Sequence, residues 1–248
     1  MLEARQVTKS FGSGDGIVPA VTDVTMAVAD GEFVAVVGRS GSGKTTLMSL
    51  LGALEQPTSG MIFVDGQDIT QLSPAELVRY RGRKIGFVFQ SYNLVPNLTS
   101  TENVMLPMEF IGVGKSERRT RARQLLEQVE MTGARQQRKP GRLSGGEQQR
   151  VAIARALANQ PSIILADEPA GNLDSQTSST IIELLRGLSR SEGTIVIVVT
   201  HDASIAEQAD RVLRLEDGRL LPSTRRAGEL SARPAGELST RPAGEEVR

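Results

Sequence analysis

Apolar residues fall into three kinds of run along this chain. Runs that alternate with polar neighbours come first: positions 2–11 alternate weakly, and Val24, Met26 and Val28 alternate within 21–29, as half-buried strands do. Continuous apolar runs follow. Phe33-Val34-Ala35-Val36-Val37 predicts a strand over 32–37, and positions 84–89 predict another that ends at Gln90. Ser162-Ile163-Ile164-Leu165-Ala166 and Thr194-Ile195-Val196-Ile197-Val198-Val199 have the same character. Such runs suit central strands of a parallel sheet covered on both faces. Shorter strands are predicted over 61–64 and 211–215. The third kind has helical spacing. From Lys44 onward Leu47, Leu50, Leu51 and Leu54 share a face, and within 115–131 Ala122, Leu125, Leu126 and Val129 do.

Breakers divide these runs. Asp30-Gly31 and Asp65-Gly66 read as turns, and Pro57 to Gly60 ends the first helical pattern. Ser73, with Glu76 three residues on, is a helix start. Pro96, Asn97 and Thr99 mark a loop, and positions 101–110 predict a helix interrupted near Pro107. A helix over 148–159 ends before Pro161, and another runs through Leu188. Residues 91–160 thus read as a mostly helical insertion in an α/β frame. At the end, segment 225–232 is echoed by 233–240, and 241–245 begins a third copy. This repeat is rich in Pro and Gly and poor in apolar residues, so 223–248 is expected to be a disordered tail after a domain spanning 1–222.

The strongest chemical signal lies between the 32–37 strand and the helix from Lys44. Gly38-Arg39-Ser40-Gly41-Ser42-Gly43-Lys44-Thr45, followed by Thr46, fits G-x-x-x-x-G-K-[ST] at every fixed position. Glycines let backbone N–H groups turn toward a polyphosphate, and the helix N-terminus adds partial positive charge. Lys44 is placed for the β- and γ-phosphates of a nucleoside triphosphate, and the Thr45 hydroxyl for Mg²⁺.

Three further features sit at the ends of elements. The 162–166 run delivers Asp167-Glu168 at its C-terminal end, the end where open α/β sheets carry ligands. Asp167 is placed to hold Mg²⁺ through water, and Glu168 to act as general base toward an attacking water. The 194–199 run delivers His201, the chain's one histidine, in reach of a γ-phosphate or that water. Leu143-Ser144-Gly145-Gly146-Glu147 has capping-box spacing with a bare first turn, a second helix start open to an anion. Phe11 admits two readings, a half-buried strand residue or a ring that stacks on a base.

Composition narrows the classes. The 248 residues can bury a substantial core. Lys+Arg 29 balance Asp+Glu 29, and aromatics are 3% without tryptophan, so no nucleic-acid partner is expected. The arginines at 118, 119, 121 and 123 read as a solvated helix face. The chain has no cysteine, which excludes disulfide and thiolate chemistry. No signal peptide opens it, and no apolar run approaches the ~20 residues of a spanning helix. It is expected to be soluble and cytosolic alone, with any membrane role supplied by a partner.

These residues resemble the nucleotide-binding subunit of ABC transporters over roughly residues 1–220. The most specific element is Leu143-Ser144-Gly145-Gly146-Glu147-Gln148-Gln149-Arg150, which is similar to the ABC signature. Gly38 to Thr45 matches Walker A, and Ile163 to Glu168 matches Walker B with the catalytic glutamate. Gln90 matches the Q-loop, Asn172-Leu173-Asp174 the D-loop, and His201 the switch histidine. Phe11 sits where the family's base-stacking aromatic falls, often a tyrosine. A narrower resemblance, carried by the stretches 87–96, 102–107 and 171–174, is to the LolD, MacB and FtsE ATPases, with Ala170 where a threonine is common.

The resemblance implies a P-loop NTPase of α/β class, with a RecA-like core, an N-terminal antiparallel β subdomain and an α-helical subdomain. It implies catalytic roles for Lys44, Gln90, Glu168 and His201. It places Thr45, Gln90 and Asp167 on the metal, and Ser144, Gly145, Gly146, Glu147 and Asp174 on nucleotide held by a second copy. An FtsX- or MacB-like permease, at the cytoplasmic face of a bacterial inner membrane, is the implied partner. The rival class is a soluble ABC ATPase acting on nucleic acid or ribosomes; the single cassette, the absence of a heptad run and the neutral charge argue against it. A non-catalytic regulatory subunit is opposed by Lys44, Asp167, Glu168 and His201 all being present.

Overall fold

The two kinds of apolar run build two separate sheets. The structure, a computed structural model, describes residues 1–12, 16–221 and 224–225. In chain order the strands are β1 (Leu2–Phe11), β2 (Val18–Val28), β3 (Phe33–Val37), β4 (Ser59–Val64), β5 (Gln67–Asp68), β6 (Ile85–Phe89), β7 (Ile163–Asp167), β8 (Ile195–Thr200), β9 (Arg211–Glu216), β10 (Arg219–Leu220) and β11 (Thr224–Arg225). The helices are α1 (Lys44–Leu51), α2 (Pro74–Lys84), α3 (Ser100–Phe110), α4 (Lys115–Gln128), α5 (Gly145–Ala156), α6 (Ser175–Glu192) and α7 (Ala203–Glu207). Among the described residues no helix is long and apolar enough to cross a membrane. Apart from Thr224–Arg225, the expected disordered tail lies outside the described residues.

The alternating strands form an antiparallel sheet in the order β2-β1-β4-β5. The continuous runs form the second sheet, in the order β10-β9-β3-β8-β7-β6, with β11 also on β9. Its strands β9, β3, β8, β7 and β6 run parallel. Successive residues alternate between its two faces. Phe33, Ala35, Ile164, Ala166, Val196 and Val198 join the core shared with α3 to α6. Val34, Val36, Ile163, Leu165, Ile195 and Ile197 join the core shared with α1 and the antiparallel sheet.

Register then decides where the chemistry sits. Val37 lies opposite Thr200, Asp167 opposite Val199, and Phe89 opposite Asp167. The ends of β3, β6, β7 and β8 are level, so Gly38, Gln90, Glu168 and His201 leave the sheet at one edge.

α1 has only eight residues, too few to be stable alone. Fully buried Leu47, Leu50 and Leu51 hold it, each contributing about 2 kcal/mol of apolar burial. Its entry requires glycine: Gly43 has φ 98°, and a Cβ there would lie 2.1 Å from the Ala20 carbonyl oxygen. The helix ends at Leu51, so Leu54, expected on the buried face, is instead 48% exposed. α3 differs from expectation in the other direction. It continues through Pro107, helped by fully buried Val104 and Met108, which offset the backbone bond that proline deletes.

In the helical part α4 and α5 cap each other. Arg121 Nε donates to the Ala158 carbonyl just past α5 at 2.7 Å, and Arg150 Nη1 donates to the Val129 carbonyl just past α4 at 3.0 Å. Those carbonyls have no partner within their own helix. The crowded arginines of α4 are therefore partly structural, since Arg118 also pairs with Glu109 at 3.2 Å.

Candidate active site

The level strand ends open into a cleft of about 650 Å³. Gly38, Ser40, Gly41, Gly43, Lys44, Thr45 and Thr46 line it from the glycine loop and the start of α1. Gln90 enters after β6, Asp167 and Glu168 from β7, and His201 after β8. Ser42 lies under the loop: it is 6% exposed, and its hydroxyl has no hydrogen-bond partner.

Lys44 bridges the loop from within. Its Nζ donates to the carbonyls of Gly38 at 2.9 Å and Arg39 at 2.8 Å. An ammonium has three donors, so one remains to face a phosphate. Gly218 N donates to the Ser42 carbonyl at 3.0 Å and ties the loop to the turn after β9.

Asp167 and Glu168 are adjacent at the sheet edge. Burial raises the Asp167 pKa above its ordinary value, and the Glu168 carboxylate adds to this; the Thr45 hydroxyl and Lys44 act in the opposite direction. A cation at this point relieves the repulsion. Among the described residues no group of three or more His, Cys, Asp or Glu could hold a metal ion by itself. The donors facing the cleft, on Thr45, Gln90 and Asp167, are oxygens. A few oxygen donors completed by phosphate is the set that suits Mg²⁺.

Glu168 is turned by its backbone, with φ 46°, a left-handed conformation at a non-glycine residue. Its N–H donates to the Val199 carbonyl at 2.9 Å. Thr200 Oγ1 donates to Oε2 at 3.2 Å, and His201 Nδ1 lies 2.7 Å from Oε1. A carboxylate only accepts, so Nδ1 is the donor there. This hydrogen bond, with the charge of Glu168, raises the His201 pKa above its ordinary 6.5.

The sign of the linkage follows. The pair's stabilisation is fully present below pH 6.5 and is lost as pH rises through the raised value. As the one histidine in the chain, His201 gives an isolated imidazole signal in a proton NMR titration. Its midpoint should lie above 6.5 and return toward 6.5 in Glu168→Gln. An unshifted midpoint in the parent chain would remove the pair.

Gln90 is held by the turn after β7. Its Nε2 donates to Asn172 Oδ1 at 3.4 Å, and Asn172 Nδ2 donates to the Gln90 carbonyl at 3.2 Å.

Besides Ser42, six of the predicted residues lie away from the cleft. Ser144 caps α5, and Glu147 returns its carboxylate to the Ser144 N–H at 2.9 Å. The Glu147 side chain thus shapes the helix start and lies 3.8 Å from Arg135. Gly145 and Gly146 form the bare first turn. Asp174 caps α6, accepting from the Thr177 N–H at 3.0 Å and hydroxyl at 2.7 Å, and these bonds lower its pKa. Phe11, at the end of β1, is 44% exposed and has Lys9 Nζ 5.1 Å from its ring centre.

Sequence reasoning missed Thr200 and undervalued Asn172. Thr200 was visible as the last position of a strand that delivers His201. Asn172 enters the sequence reading only as part of the D-loop match, and its bonds to Gln90 span 82 positions.

Comparison with known proteins gives concordant results. Residues 21–171 match the family model described as ABC transporter. The chain is 45% identical over 232 residues to a macrolide export ATP-binding/permease protein MacB of Syntrophobacter fumaroxidans, covering 93% of this chain and 32% of the relative. It is 47% identical over 226 residues to an uncharacterized ABC transporter ATP-binding protein of Thermotoga maritima, covering 91% of this chain and 96% of the relative. It therefore spans about a third of the length of the MacB relatives and nearly all of the Thermotoga protein. A solved dimeric ATP-binding cassette, in a post-hydrolysis state bound to ADP and Pi, superposes with a TM-score of 0.85 at 43% identity, covering 92% of this chain and 100% of that one.

Proposed function

Because the chain belongs to the ABC transporter family, we propose that it is an ATPase subunit that dimerises head to tail and drives a membrane permease of the MacB- or FtsX-like kind. The observation that carries this reading is a division of labour. Lys44, Asp167, Glu168 and His201 converge on one cleft, whereas exposed Ser144 heads a helix whose bare first turn lies outside it. The second wall of each site then comes from the partner copy.

In this mechanism the backbone N–H groups of Gly41 to Lys44 and the ammonium of Lys44 hold the β- and γ-phosphates of ATP. Thr45, Gln90 and Asp167 would hold Mg²⁺, which would neutralise charge on the phosphate oxygens. Glu168 accepts a proton from the water that attacks the γ-phosphorus, giving ADP and phosphate. His201 and Thr200 fix the Glu168 carboxylate while it does so. Ser144 and the N–H groups of Gly145 and Gly146 cover the γ-phosphate of the partner's ATP. Nucleotide at a shared site favours closure, and hydrolysis releases it, so the dimer opens and closes under the permease. The working place of such a subunit is the cytoplasmic face of a bacterial inner membrane, and its substrate is chosen by the permease.

Complementation between two inactive chains tests the composite site. Ser144→Arg alone should bind ATP with ordinary affinity and lose turnover. Mixed with Lys44→Ala chains, it should recover one working site per mixed dimer and no more, because the intact loop of one then meets the intact Ser144 of the other. No recovery at any mixing ratio would overturn the head-to-tail arrangement.

A further inference from the structure

α5 carries Ser144 at its N-terminal cap and Arg155 in its last turn. The Arg155 guanidinium donates from Nη2 to the Tyr92 carbonyl at 2.8 Å and from Nη1 to the Asn93 carbonyl. It forms no ion pair with any acidic side chain among the described residues. Burial lowers its pKa from the ordinary arginine value, so this charge is held in a desolvated position by carbonyls alone.

The carbonyls it grips belong to an unusual turn. Tyr92 has φ 60° and Asn93 φ 49°, consecutive left-handed conformations at non-glycine residues. Such a pair costs free energy and persists only where its surroundings impose it. The planar fork of Arg155 meets the two carbonyls with two separate nitrogens held in fixed geometry, whereas an ammonium would have to meet both from one freely rotating atom. The Tyr92 side chain reaches the other end of the helix: a Cβ on Gly145 would lie 2.8 Å from its hydroxyl oxygen. On the cleft side the same segment begins at Gln90, which is bonded to Asn172. Four residues therefore connect the cleft of one chain to the helix whose start is offered to the other.

We propose that Arg155 is a positioning residue that makes the Gln90–Asn93 segment and α5 move as one body. What Gln90 meets in its own cleft then sets the orientation in which Ser144 to Gly146 approach the second chain. This rests on the head-to-tail dimer proposed above. Without the fork, the strained turn relaxes on its own and the cleft no longer directs α5.

The test separates nucleotide binding from closure. ATP affinity is measured in full-length chains carrying Ser144→Arg, where closure is blocked. The ATP concentration for half-maximal dimerisation is measured by size exclusion in chains carrying Glu168→Gln. Adding Arg155→Met should leave the affinity within about twofold and raise the ATP needed for dimerisation by about tenfold. Arg155→Lys should fall between, and it carries the same comparison if Arg155→Met does not fold. A parallel loss of affinity and dimerisation, or a change in neither, overturns the proposal. If the parent Glu168→Gln chain forms no ATP-driven dimer, the dimer reading fails and this inference falls with it.

Discussion

Glu168→Gln should bind ATP as the parent chain does, lose turnover by about 10²- to 10⁴-fold, and accumulate as an ATP-bound dimer on size exclusion. The substitution keeps the side chain's size and its capacity to accept from Thr200, so the cleft keeps its shape. It removes the charge that allows the carboxylate to take a proton. It also removes the charge that draws His201 to Oε1 at 2.7 Å. Asp167 loses a repulsive neighbour and ionises more readily, and Thr45, Gln90 and Asp167 themselves are unchanged, so the groups assigned to the cation remain. Binding survives and the proton-transfer step fails, which leaves the closed state without its exit. Turnover at the parent rate would show that another group serves as base.

Lys44→Ala should act one step earlier. Its Nζ spans the loop between the Gly38 and Arg39 carbonyls, so the substitution removes both an internal brace and the charge that meets the phosphates. A charge-assisted hydrogen bond contributes about 1.5–3 kcal/mol, which is about 10- to 100-fold in affinity for nucleotide. The binding isotherm, read by a fluorescent ATP analogue, should shift by that amount, and turnover should disappear at ordinary ATP concentrations. ADP affinity should fall less, because ADP lacks the γ-phosphate. The two variants thus separate by phenotype: one binds and stalls closed, the other fails to close. Identical behaviour of both would mean that Lys44 and Glu168 do not act at successive steps.

The residues that carry the chemistry were legible because they lie at the ends of strongly patterned runs. Gly38 to Thr45 joins a continuous apolar strand to a helix, and Asp167-Glu168 and His201 leave two similar strands. Short-range sequence was less reliable where packing intervened. Leu54 had the spacing of a core residue but lies beyond the turn that ends α1, and Pro107 did not end α3, because nearby side chains are buried tightly enough to tolerate it. Glu147 and Asp174 show a different limit. Their motifs place them among nucleotide-binding positions, yet within one chain both carboxylates are engaged in capping their own helices.

Arg155 had no sequence signal at all. An arginine in the polar pattern of a helix is usually solvated, and only the fold reveals that this one is aimed at the carbonyls of a turn 62 positions away. The bonds of Asn172 to Gln90 and of Thr200 to Glu168 were hidden for the same reason.

What the sequence by itself determined is local: which stretches are strands or helices, where they stop, and which phosphate-binding and carboxylate groups sit at their ends. These follow from side-chain periodicity, backbone freedom at glycine and cap chemistry, which act over a few residues. What only the tertiary structure decided is the meeting of those ends. β8 lies between β3 and β7, Val37 falls opposite Thr200, and Val199, Asp167 and Phe89 fall level across the sheet. Strand order and register depend on pairing between residues 32 to 177 positions apart, where whole apolar faces compete for burial. No window along the chain contains that competition, so the cleft exists only once the sheet has formed.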